Sequence, residues 1–346
     1  MIRKYYKFSM KRILITMICL IIIAFIPTPF YLYQPGPVEA LEPIITVEGG
    51  HRDEKKGSFN LTTVLSIKAF NPYILAYGLI APHTDIMKGD DVKGDLSDDE
   101  YTKLLNFMMK DSQQNALVAG FIEAGEQVDI AYHGIFVSGI LPDSPAKKVL
   151  KVGDIITSID GEKITEAPKF ISYIEENKKI GDSATLTIER GGQELKETVE
   201  MITVDASTNR AGIGIVPEEE FTATVSKKVK INSEDIGGPS AGLMFSLEIY
   251  NQLTSADLTK GYKIAGTGTI DHNGNVGQIG GITHKVTAAN EEGADIFFTP
   301  KDLTAIDTNE KDVLAEVKGN EYDLQVVPVA SLEEAIDYLE DLEEKQ

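Results

Sequence analysis

The sequence predicts an α/β chain interrupted by a β-rich middle stretch and preceded by an apolar N-terminal segment. Three observations predict it. Ile13 to Tyr33 carries no charge. Strand and helix patterns alternate from residue 59 to 125 and again after 204. Between them, short β-branched runs alternate with Gly, Pro and Asp turn signals. At roughly 150 residues per domain, 346 residues suggest about two domains. A composition of 42% hydrophobic and 25% charged residues is that of a globular chain, not a disordered one.

Charge and cysteine usage exclude several functions. A net charge of −21 argues against a nucleic-acid binder, which needs clustered Lys and Arg to meet phosphates. One cysteine excludes an internal disulfide framework and a cysteine-rich zinc site.

The N-terminal segment comes first. Arg3, Lys4, Lys7, Lys11 and Arg12 precede a run of 21 uncharged residues, and no acid occurs before Glu39. About 20 such residues cross a bilayer as a helix, and bases stay on the cytoplasmic side. Residues 1–12 read as a cytoplasmic basic segment and 13–33 as a transmembrane helix. Tyr31 and Tyr33 would lie at headgroup level, and Pro27 and Pro29 would break its last turns. This places the bulk of the chain outside the cytoplasmic membrane. A cleaved signal peptide ending at Val38-Glu39-Ala40 is the alternative. Cys19 reads as a small apolar filler of the segment.

Residues 34–58 read as a linker. Phe59 to Ile67 alternates apolar and polar residues and predicts a strand. Asn60-Leu61-Thr62 matches a glycosylation triplet, a pattern common by chance. Ser97-Asp98-Asp99-Glu100 is a capping box, and the apolar spacing after it predicts a helix ending near Gly125. Residues 126–204 are the β-rich stretch, with a helical piece at 168–178 and a strand at 184–189. Beyond them, strands are predicted at 212–216, 223–229, 262–267 and 295–299. Helices are predicted at 241–252, 284–292 and 332–344.

Two clusters carry chemistry. Ile236-Gly237-Gly238-Pro239-Ser240-Ala241-Gly242 is a glycine-rich loop that ends in a serine and opens a helix. Backbone N–H groups there could stabilise an oxyanion; a plain helix cap is the bland reading. The second runs from Gly266 through an Asn273-Gly274 turn to Gly280-Gly281 and Lys285 at a helix start. Burial and the positive helix end both disfavour a charged lysine there, as a base near neutral pH requires.

The middle stretch resembles a PDZ domain of the bacterial type, through GIFV at 134–137, SPA at 144–146, VGDIITSIDG at 152–161 and ERGG at 189–192. The resemblance implies peptide capture by strand addition, with a carboxylate nest at His133, Gly134, Ile135 and Phe136. The two chemical clusters together resemble the proteolytic domain of the Lon family. Its serine motif matches Ser240 in GPSAG, its lysine matches Lys285, and its dyad-ordering threonine matches Thr267. The resemblance implies a Ser-Lys dyad, with Gly238, Pro239 and Ala241 forming the nucleophile loop. Many Lon enzymes carry an acid where Gly237 stands. No G-x-x-x-x-G-K-[ST] occurs, so no nucleotide motor is expected.

The whole arrangement is similar to membrane-anchored PDZ–Lon-like proteases of Gram-positive bacteria. That family implies a proteolytic domain in two pieces, 59–125 and 205–346, around the PDZ domain. The function expected is an ATP-independent serine endopeptidase acting on peptides or exposed protein segments. No cofactor, metal, nucleotide or nucleic acid is expected, and the resemblance leaves a homo-oligomer open. A non-catalytic PDZ adaptor with a degenerate protease-like domain is the rival. The glycines of 266–281 do not complete a dinucleotide fingerprint, because Asp271 stands where its third glycine belongs. His272 or His284 as a partner of Ser240 is a weaker alternative.

Overall fold

The computed structural model describes residues 10–52, 56–205, 207–233 and 236–345. Helix α1 spans Met10–Ala24, 15 residues, or about 22 Å at 1.5 Å per residue. A bilayer core is about 30 Å thick. No helix among the described residues is long and apolar enough to cross a membrane. The expected span at 13–33 is instead split. Pro27 and Pro29 lack the N–H that would continue a helix, and Phe30–Ala40 forms strand β1. This overturns the expected single-pass membrane placement, with a cytoplasmic N-terminus and an extracellular bulk. Arg3, Lys4 and Lys7 lie outside the described residues. Cys19 is exposed on α1.

The expected linker at 34–58 is largely structured as well. It holds most of β1 and all of β2, Ile45–Val47. Strand β3, Ser58–Lys68, runs antiparallel to β1, with Tyr33 opposite Ser66. Tyr31 and Tyr33 thus serve the sheet. Helix α2 is Pro72–Gly78, capped by the Asn71 side chain. Strand β4, Asp85–Lys88, pairs with β1, and α3 is Gly89–Lys93. Helix α4, Asp98–Glu123, starts at the predicted capping box: Ser97 Oγ accepts from the Glu100 N–H and Glu100 closes back on the Ser97 N–H.

A second, separate core follows. Its elements are β5 (Val128–Ile140), a short 3-10 turn at Pro145–Lys148, β6 (Ile155–Ile159), β7 (Glu162–Lys163), α5 (Ala167–Asn177), β8 (Ser183–Arg190) and β9 (Gln193–Glu200). After β10 (Ile202–Asp205) and β11 (Arg210–Gly212) the chain returns through β12 (Ile215–Val225) and β13 (Val229–Ile231). The sheet order is β12-β5-β6-β8-β9, with β7 on β6. Ile135, Val137, Ile156, Phe170, Leu186 and Ile188 fill this core. Buried Asp154 is held by Arg190 through two 2.7 Å bonds. The expected boundary at 204 and the strands expected at 212–216 and 223–229 are therefore redrawn. Strand β12 belongs to this sheet and pairs with β5 down to Val225 opposite Val128.

The remaining elements are α6 (Gly242–Leu253), β14 (Lys263–Gly266), β15 (Thr269–Ile270), β16 (Val276–Gly277), α7 (Ile282–Glu291), β17 (Ile296–Pro300), α8 (Asn309–Asn320), β18 (Gln325–Val329) and α9 (Leu332–Glu340). The main sheet runs β18-β17-β14-β3-β1-β4 and is parallel from β18 to β3. Its strands alternate faces. Ile264, Ile296 and Phe298 pack toward α4, α6 and α9, while Ala265 and Phe297 pack toward α7 and α8. Strand β3 and helix α4 thus share a sheet and a core with residues after 240, across the second core.

Candidate active site

The site lies beyond the carboxyl end of β14, where open parallel sheets commonly bind ligands. Gly238 has φ +89°, a left-handed conformation that glycine tolerates at low cost, and it turns the chain into Pro239-Ser240. Ala241 precedes α6 and no side chain caps the helix. The Ser240 hydroxyl is therefore not spent on a helix cap. The Ser240 carbonyl accepts from Thr267 Oγ1 at 2.9 Å and from the Gly268 N–H at 2.9 Å. These two bonds tie the serine loop to the end of β14.

Lys285 stands in the first turn of α7 and is buried. Its Nζ lies 2.7 Å from Ser240 Oγ, 3.0 Å from Thr267 Oγ1 and 3.1 Å from the Thr62 carbonyl. None of the three partners is an acid. Burial pushes its pKa down to about 7. A neutral amine has two hydrogens and one lone pair. The hydrogens suit Thr62 O and Thr267 Oγ1, and the lone pair faces the Ser240 hydroxyl. An ammonium would donate to all three positions. The same three positions thus suit either protonation state of the amine. Thr267 is fully buried, donates to Ser240 O and accepts from Lys285.

The structure brings together Ser240, Lys285 and Thr267, with Gly238, Pro239 and Ala241 in the serine loop. Neither the Ser240 nor the Ala241 N–H donates to another group among the described residues. His284 pairs with Asp85 at 3.0 Å instead of Ser240. Thr62 was visible in the sequence only as part of a glycosylation triplet, since a backbone carbonyl has no residue signature. Among the described residues no group of three His, Cys, Asp or Glu could hold a metal.

The residues expected to form a carboxylate nest, His133, Gly134, Ile135 and Phe136, fall within β5. Ile135 and Phe136 pair with β12 on one side and β6 on the other, and Gly134 pairs with β12, so their main-chain groups serve the sheet. A Cβ on Gly134 would come within 2.7 Å of the Ile156 carbonyl, so this glycine permits close strand packing. Ile135 and Phe136 are buried. Phe136 stacks on Phe107 of α4 with centroids 3.6 Å apart. The end strands of this sheet are β12 and β9, and β12 borders α5, where Glu219 Oε1 accepts from the Ala167 N–H at 3.0 Å.

Residues 106–201 match the family described as "PDZ domain". The chain carries a PDZ domain. Distant similarity to Lon proteases accompanies it. A Lon protease from Azospirillum brasilense is 28% identical over 53% of this chain and 22% of its own length. Lon protease 1 from Herpetosiphon aurantiacus is 30% identical over 48% of this chain and 20% of its own length. The chain thus spans about a fifth of the length of these relatives. Among solved structures, the PDZ domain of an SdrC-like protein from Listeria monocytogenes is 32% identical. That match covers 26% of this chain and 92% of that one, with a TM-score of 0.24.

Proposed function

We propose that this chain is a serine endopeptidase with Ser240 as nucleophile and Lys285 as general base. The observation that carries the proposal is a buried, acid-free Lys285 amine 2.7 Å from the Ser240 hydroxyl. Ser240 Oγ attacks a peptide carbonyl carbon while its proton passes to Lys285 Nζ. The oxyanion takes the Ser240 and Ala241 N–H groups. The C–N bond then breaks, and Lys285 returns the proton to the leaving amine. Water next attacks the acyl ester, gives its proton to Lys285, and Ser240 leaves with that proton restored. Thr267 holds the lysine and the serine loop in register. Cleavage in this reading proceeds without ATP. In this reading the elements from β1 to α4 and those from β13 onward form the proteolytic unit, and the PDZ domain, with β12 in its sheet, selects peptides or exposed protein segments. A selected peptide would add as a strand along the outer edge of β12, beside α5.

The test is cleavage of casein, an unfolded substrate, by the purified chain without nucleotide. The parent should release peptides, and Ser240→Ala and Lys285→Ala should release none. Equal cleavage by all three would remove the dyad from the mechanism. No cleavage by the parent would favour the adaptor reading.

A further inference from the structure

Helix α4 holds the serine loop from outside the dyad. Ser112 lies in its interior and is 1% exposed. A serine inside a helix usually bonds back to the carbonyl four residues earlier. The Ser112 hydroxyl instead donates across to the Pro239 carbonyl at 3.0 Å. The Gly238 N–H approaches the Leu105 carbonyl of the same helix at 3.5 Å.

The consequence follows from peptide planarity. The Pro239–Ser240 unit is trans, so its C=O and N–H point to opposite sides. Fixing the Pro239 carbonyl on Ser112 aims the Ser240 N–H away from α4. The next unit is fixed likewise: the Ser240 carbonyl rests on Thr267 and Gly268, which aims the Ala241 N–H the opposite way. The two N–H groups left without acceptors among the described residues are those assigned to the oxyanion. We infer that Ser112 is a positioning residue for that oxyanion hole. It acts through the Pro239 carbonyl and touches neither substrate nor proton. The inference rests on Ser240 being the nucleophile.

Removing an oxyanion donor outright typically costs about 10²–10³-fold in kcat. Ser112→Ala leaves the donor in place but loosens it. The Gly242 N–H also approaches the Pro239 carbonyl, at 3.4 Å, and keeps part of the restraint. A loss of about 10-fold is therefore expected.

The experiment compares the parent, Ser112→Ala, Ser112→Cys and Ser240→Ala in the full chain. Each is assayed on one fluorogenic peptide chosen from the casein fragments that the parent releases. The parallel probe is an aldehyde of the same peptide, which forms a tetrahedral adduct on a serine. In Ser112→Ala, kcat should fall about 10-fold with KM within about twofold. Inhibition by the aldehyde should weaken by the same factor, and the pH midpoint set by Lys285 should stay in place. A damaged fold would raise KM or move that midpoint. Ser112→Cys keeps the volume and replaces the hydroxyl by a weak donor, so it serves if the alanine variant does not fold. Parental kcat in the folded variants, or equal weakening of substrate and aldehyde, would overturn the inference. A Ser240→Ala variant as active as the parent would instead remove the nucleophile reading itself.

Discussion

The acid limb of the pH–rate profile is the sharpest consequence of the site. In the proposed dyad Lys285 must be neutral to accept the Ser240 proton. Burial lowers its pKa to about 7, from the 10.5 of a free lysine. At pH 6 about a tenth of the enzyme then holds the neutral amine, and at pH 8 about nine tenths. kcat/KM should rise about 10-fold between pH 6 and pH 8 and level above it, reporting the free enzyme. The assay is initial rate on a short fluorogenic peptide at substrate well below KM, at constant ionic strength. Stability should follow the same group. The unfolded chain holds the lysine proton up to about pH 10.5 and the folded chain only up to about 7. The unfolded state therefore binds more protons between these values, and this group's contribution to stability rises with pH. Folding at pH 8 requires loss of that proton, a cost on the order of 3 kcal/mol. Lys285→Met should raise stability to urea at pH 8 while abolishing cleavage. A rate still climbing tenfold per pH unit above pH 9 would mean an unperturbed lysine. That result would refute the role of burial argued here.

Two further outcomes test the surrounding structure. Thr267→Val removes both the acceptor for Lys285 and the donor to the Ser240 carbonyl. It should lower kcat/KM about 10- to 100-fold, with recovery in Thr267→Ser, as measured on the same peptide. Asp111 of α4 is pushed up to about 7, first by burial and then by Glu218 and Glu220 of β12. The folded state holds this proton from about pH 4 to about pH 7 and the unfolded state does not, so stability falls as pH rises through that window. Asp111→Asn should add about 1–3 kcal/mol at pH 8 and flatten the dependence between pH 4 and pH 7, measured by urea unfolding. No gain at pH 8 would place Asp111 in a better-solvated setting.

The legible parts of the chain are those fixed by local chemistry. Ser97 and Glu100 are a self-contained cap, so the start of α4 was readable. Ser240 in its glycine loop and Lys285 after Gly280-Gly281 were readable because both stand at helix starts. The misreadings have one cause, which is that partners distant in sequence decide them. The apolar run to Tyr33 reads as lipid-facing until β3 and β4 pair with its last residues, Phe30–Tyr33. The close approach of Ile156 to Gly134 likewise leaves no mark in the sequence. Helix α8 buries only Asn309 and Val313, too few residues for a periodic signal in the sequence. The Thr62 carbonyl and the turn of Ser112 away from its own helix are long-range events with no local mark.

The surroundings of Lys285 set it apart from other lysines of this chain. The chain has 54 acids against 33 bases, so a lysine readily finds a carboxylate. Lys263, for example, pairs with Glu292, and Lys345 with Asp295. Lys285 meets only two hydroxyls and a carbonyl. A carboxylate within about 4–6 Å would favour the ammonium by about 1–3 pKa units. At pH 7 the population of free base would then fall from about half to between about a tenth and about a thousandth. Desolvation lowers the lysine only while nothing opposes it. In the proposed dyad the base therefore needs a dry, uncharged wall more than it needs a counter-ion. That wall is assembled from three separate parts of the chain, with Thr62 on β3, Thr267 after β14 and Ser240 before α6. The lysine can be deprotonated near neutrality only after β3 has paired with β14, so the chemistry of the site depends on the long-range pairing of the main sheet.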